Sequence, residues 1–125
     1  MSDETRASAV CGAFIMVAYA DANFDHVEEA RFLSTVLNDP ALSFLDSATA
    51  GACYNRLAED FKSDYASAAG RVLAAISECR DDAEAVAAIK LSARRAIVAD
   101  QRLMPQEEAS LDQIAKALGL EEGAV

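Results

Sequence analysis

Apolar residues recur at helical spacing along this chain, and nowhere do they alternate with the period of two that marks a half-buried strand. Val10, Phe14, Val17 and Ala18 form one helical series, and Val86, Ile89, Ala93 and Ile97 form another. Asp25 caps a helix that Asn38-Asp39-Pro40 stops, and Ala41–Leu45 forms a short turn of helix. Asp46 or Ser47 caps the next, with a stripe of Ala50, Tyr54, Leu57, Ala58 and Phe61. Ser63-Asp64 breaks it and starts another, marked by Tyr65, Ala69, Val72, Leu73 and Ile76. Asp81-Asp82 opens a helix running to Asp100, and the last carries Leu111, Ile114, Ala115 and Leu118 before a Gly119-Leu120 cap. The pattern predicts an all-α chain: one compact bundle of about six to seven helices over residues 1–125, with 1–5 and 121–125 as flexible tails.

One stretch is written twice. Ala20-Asp21-Ala22-Asn23-Phe24-Asp25-His26-Val27-Glu28-Glu29 returns as Ala99-Asp100-Gln101-Arg102-Leu103-Met104-Pro105-Gln106-Glu107-Glu108, each position 79 residues on. Both copies are Ala-Asp, two variable residues, an apolar residue, three variable residues and Glu-Glu. Each reads as helix, short turn, helix. Glu28 stands three residues after Asp25, the spacing of a capping box. Pro105 stands where a first helical residue belongs, with Glu107 in the position of Glu28. A helix-turn-helix unit is thus expected at each end of the chain.

The aspartates of this motif are electrostatically misplaced. Asp21 and Asp100 fall at or just after the last turn of a helix, where carbonyls already present negative charge and a carboxylate loses a few tenths to ~1 kcal/mol. Glu28 and Glu107 start the following helices, and their Cα–Cβ bonds lean back towards the turn. Each junction therefore collects an Asp and a Glu, and a cation there offsets both penalties. All-oxygen ligation suits a hard divalent ion, Ca²⁺ or Mg²⁺. Asn23 and Asp25 can add oxygens to the first junction, whereas Arg102 and Met104 occupy those places in the second. The competing reading is that the aspartates form Asx-turns and the glutamates only cap.

With 125 residues, the chain suffices for a single core. A hydrophobic fraction of 53% with 6% aromatics is weighted towards alanine, favouring closely packed helices. A net charge of −10 argues against nucleic acid or an anionic membrane surface and favours cations or basic protein surfaces. Cys11, Cys53 and Cys79 are odd in number and lack CxxC spacing, so they read as small buried residues in a reducing, cytoplasmic setting. The run Ala9–Ala20 mimics a signal-peptide core, but Asp3 and Glu4 precede it where export needs positive charge, so it reads as a first helix. It is also too short to cross a bilayer.

Asp21, Asn23 and Asp25 match the start of an EF-hand loop, but His26 replaces its glycine and Phe32 its closing acid. His26, the single histidine, has no cysteine partners for a zinc site. No nucleophile with a paired base and no phosphate-cradling loop is visible, so enzymatic activity is not expected. Carboxylate-based hydrolysis ranks below two other readings, a cation-binding module and a metal-independent acidic docking domain.

The segments from Phe14 to about Leu37 and from Ala93 to Leu120 resemble the TerB-like family of tellurite-resistance proteins, which carries an Ala-Asp-Gly-x-apolar-x-x-x-Glu motif near each end of a small helical domain. The likeness spans nearly the whole chain. It implies about seven helices, an acidic surface, a metal site made by the motif acids and a role in bacterial tellurite or related stress resistance. By position the metal ligands are Asp21, Glu28, Asp100 and Glu107. It also implies protein partners from the same resistance system, including membrane-embedded and calcium-binding members. The family's glycine is Ala22 in one copy and Gln101 in the other. A left-handed backbone there would cost a non-glycine residue roughly 1–2 kcal/mol.

Overall fold

The computed structural model describes residues 3–20, 46–98, 105–121 and 125. These hold five helices and no strand: α1 (Asp3–Ala18), α2 (Ser47–Ser63), α3 (Tyr65–Glu78), α4 (Ala83–Val98) and α5 (Pro105–Ala117). The all-α class is as expected. The helix expected after Asp25 and the short turn at Ala41–Leu45 lie outside the described residues, so the count of six to seven and the doubled helix-turn-helix go beyond what is described. No helix among the described residues is long and apolar enough to cross a membrane.

Local side-chain chemistry starts the helices where expected. The Asp46 carboxylate accepts the Thr49 N–H at 3.1 Å, and Asp64 accepts that of Ser67 at 3.1 Å, each satisfying an amide that the first turn leaves without a carbonyl. Asp82 accepts from both Glu84 and Ala85 at 3.1 Å. Pro105 is the first residue of α5. At its end Gly119 turns left-handed at φ +75°, with Leu120 N–H reaching Ala115 O at 2.8 Å and Gly119 N–H reaching Lys116 O at 3.0 Å. This 6→1 and 5→2 pair is the Schellman arrangement.

Helix α1 departs from expectation. The spacing predicts one apolar stripe, yet Ala7, Ala9, Val10, Cys11, Ala13, Phe14, Ile15, Met16 and Val17 are all fully buried. A helix apolar on every side belongs inside a bundle, and α1 packs against all four other described helices. Burying Val10, Phe14, Ile15, Met16 and Val17 contributes about 1.5–3 kcal/mol each. An exposed ion pair such as Arg56–Glu4, 3.4 Å apart, contributes about 1 kcal/mol or less. The uncharged run from Ala7 to Ala20 is the sequence sign of this central position. Helix α1 begins at Asp3, and Val125 is buried.

Small residues let the neighbours close on α1. Helix α3 runs back along it, with Tyr65 reaching Met16 and Val72 lying over Gly12. Helix α4 runs in the same sense as α1, since Arg6 pairs with Asp82 at 3.1 Å while Ser92, further along α4, donates to the Val10 carbonyl at 2.8 Å. Phe14 and Tyr54 hold α2 in place with ring centroids 6.2 Å apart.

Gly12 is the tightest of these approaches. A Cβ there would lie 2.5 and 2.6 Å from the two Val72 methyls, and valine has few rotamers with which to retreat. Alanine would gain about 0.8–1 kcal/mol in helix propensity, but overpacking costs about 1–3 kcal/mol. Gly12→Ala is therefore expected to lower Tm by several degrees. The double variant Gly12→Ala/Val72→Ala should be less destabilised than the sum of its single changes, as read by denaturant unfolding.

Candidate functional site

The C-terminal end of α1 leads into the first copy of the acidic motif. Here the Tyr19 N–H bonds to Ile15 O at 2.8 Å and the Ala20 N–H turns to Val17 O at 3.3 Å, so the helix ladder skips the Met16 carbonyl. Two hydroxyls from other helices satisfy it. Tyr65 of α3 donates at 2.5 Å and Ser110 of α5 at 3.5 Å. Burial pushes the Tyr65 phenol up, opposed by its hydrogen bond with Ser110, so it stays a neutral donor. Three helices are thereby joined at one carbonyl.

Glu107 lies three residues before Ser110 on the same buried face of α5, about 4.5 Å along the axis. It is 3% exposed, an unusual burial for a glutamate. Because α4 runs in the same sense as α1, the last described residues of both, Ala18 and Val98, lie towards one end of the bundle, and the first turns of α5 meet α1 at that end. The three described helices that flank the motif copies, α1, α4 and α5, thus gather at a common pole. Asp21, Asn23, Asp25, Glu28 and Asp100 themselves lie outside the described residues. Among the described residues no three His, Cys, Asp or Glu side chains group so as to hold a metal ion.

A second constellation, on the α1–α2 face, was not legible from cysteine spacing. Cys11 and Cys53, 42 positions apart in the chain, are free thiols on the facing sides of α1 and α2, the Cys11 sulfur lying 3.5 Å from the carbonyl of Ala50, one turn before Cys53. The Ser8 hydroxyl lies 3.7 Å from the Cys53 sulfur, and the Arg56 guanidinium donates to that sulfur at 3.7 Å while reaching Glu4 at 3.4 Å. The single S–H proton of Cys11 has two acceptors, the Ala50 carbonyl at 3.5 Å and Cys53. When Cys53 ionises, the proton turns to the sulfur, because a hydrogen bond to a charged acceptor is roughly twice as strong. That bond, aided by Ser8 and the Arg56 charge, brings Cys53 from 9.0 to about 6 against the opposing effects of burial and Glu4. Cys11 is pushed well up, first by the same bond and then by burial. The pair thus keeps one proton and presents one thiolate. Cys79, raised by burial, lies elsewhere in the core.

The family model described as tellurite resistance protein TerB matches residues 7–125, nearly the whole chain. No curated protein and no solved structure matches it.

The thiol geometry makes a pH prediction. Alkylation follows the thiolate, so the rate at Cys53 with iodoacetamide should rise through an inflection near pH 6, while Cys79 reacts only at higher pH. Arg56→Ala should move the Cys53 inflection upwards, as read by mass-spectrometric peptide mapping across a pH series. The lowered value also stabilises the fold: the contribution of Cys53 is complete above 9.0, its unfolded value, and is lost as pH falls through about 6.

Proposed function

The chain belongs to the TerB family, and we propose that it is a non-enzymatic helical module of bacterial tellurite or related stress resistance. In this reading it binds one divalent cation through Asp21 and Glu28 from the first junction and Asp100 and Glu107 from the second. The observation that carries it is Glu107, a carboxylate buried one turn from the contact that joins α5 to the end of α1. Asp21 of the first acidic motif stands five residues after Met16 in sequence. Carbonyls at the ends of α1 and α4 add partial negative charge at the same pole, which favours a cation and disfavours bare carboxylates. The donors are all oxygen, so the fit is to Ca²⁺ or Mg²⁺, with Asn23 and Asp25 able to complete the shell.

The cation would bridge two supersecondary units widely separated in sequence, making the module responsive to divalent ions. Its acidic surface, with a net charge of −10, would then meet basic surfaces on protein partners of the resistance system. Such docking, with or without a membrane-embedded partner, weakens with ionic strength. Three free cysteines suit a reducing cytoplasmic setting.

Thermal unfolding of the chelator-stripped chain, with and without Ca²⁺, Mg²⁺, Mn²⁺ and Zn²⁺, tests the cation reading. At 100 times its Kd an ion adds ~2.7 kcal/mol, a rise of several degrees in Tm. The rise should be largest with a hard ion and absent in the Asp21→Ala/Asp100→Ala variant. Indifference to every ion would leave the acids as caps and turn formers, and the function would rest on salt-sensitive docking alone.

A further inference from the structure

We propose that Cys53 and Cys11 form a peroxide-reactive dithiol, in which Cys53 attacks a small hydroperoxide and Cys11 closes an intramolecular disulfide between α1 and α2. The site is a built one. Cys53 opens onto a cleft of about 610 Å³ lined by Glu4, Ala7, Ala48, Thr49, Ala52 and Arg56. Its sulfur receives Arg56 from the cleft side at 3.7 Å and lies 3.7 Å from the Ser8 hydroxyl of α1. At 6% exposure Cys53 admits a molecule the size of hydrogen peroxide and excludes bulky disulfides. Cys11, fully buried, meets no reagent from solvent, and its sulfur lies 3.5 Å from the Ala50 carbonyl, one turn before Cys53 on the same helix. Attacking and resolving sulfurs are thus separated by access.

In the first step a lone pair of the Cys53 thiolate attacks one peroxide oxygen and the O–O bond breaks. Two electrons pass from sulfur to peroxide, leaving Cys53 as a sulfenic acid and releasing hydroxide, or alkoxide from an organic peroxide, which takes up the proton that Cys53 gave to solvent on ionising. The Arg56 guanidinium stands beside the sulfur where this negative charge develops. In the second step the Cys11 sulfur attacks the sulfenic sulfur, an S–S bond forms and the S–O bond breaks. The departing hydroxide and the Cys11 proton leave as water. The balance is two thiols and one peroxide to one disulfide and water, or water and an alcohol. A disulfide at this position ties α1 to α2, so oxidation by peroxide acts directly on the central helix.

The test uses the full chain, fully reduced and then exposed to a stoichiometric amount of hydrogen peroxide before alkylation and peptide mapping. The expected product is a Cys11–Cys53 disulfide reversible by dithiothreitol, with Cys79 still alkylatable. In Cys11→Ser the disulfide is lost and dimedone labels Cys53 as a sulfenic acid. Oxidation of Cys53 no faster than Cys79, or its oxidation to a sulfinic acid or an intermolecular disulfide while Cys11 stays free, would overturn the proposal. The wild-type mapping decides the matter even if the Cys11→Ser chain does not fold.

Discussion

Everything described here depends on burying α1 on all sides. Four helices approach a single rod, and small side chains such as Gly12 let them come close. The first half of the buried segment carries Ala7, Ala9, Cys11, Gly12 and Ala13, and the second half carries Phe14, Ile15, Met16 and Val17. Close backbone approach in the first half brings hydroxyl and sulfur atoms of neighbouring helices onto α1, as with Ser92 on Val10 and Cys53 beside Ser8. Bulk in the second half supplies most of the apolar burial. The gradient divides labour along one helix.

That division sets up both candidate chemistries. Where α1 is thin, a thiol pair forms with its partner helix and is poised by Arg56 and Ser8. Where α1 ends, its Met16 carbonyl becomes the meeting point of Tyr65 and Ser110, which ties α3 and α5 to the start of the first acidic motif. Glu107 is carried to the same pole by the helix that supplies Ser110. In the proposed reading the doubled motif of this chain supplies acids in pairs that one cation can compensate at once.

Helix starts and stops were legible in the sequence because they rest on chemistry within a few residues. Asp46, Asp64 and Asp82 cap their own helices, Pro105 opens the last and Gly119 closes it. Long-range relations were not legible. The stripe through Val10, Phe14 and Val17 gives no hint that Ala13 and Ile15 are equally buried, because periodicity reports one face and α1 is buried on every side from Ala9 to Val17. Cysteine spacing likewise says nothing of Cys11 meeting Cys53, a contact made by helix crossing. The doubled Asp/Glu motif was plain as a pattern, while the common pole of its flanking helices follows only from contacts such as Ser110 with Met16.

The central claim is that the two motif copies serve one shared cation. Calorimetric titration of the chelator-stripped chain with Ca²⁺ reads this as a stoichiometry. A shared site takes up one ion per chain and loses it on substitution of either Asp21 or Asp100 alone. Two ions per chain, or an ion that survives either single substitution, would contradict it.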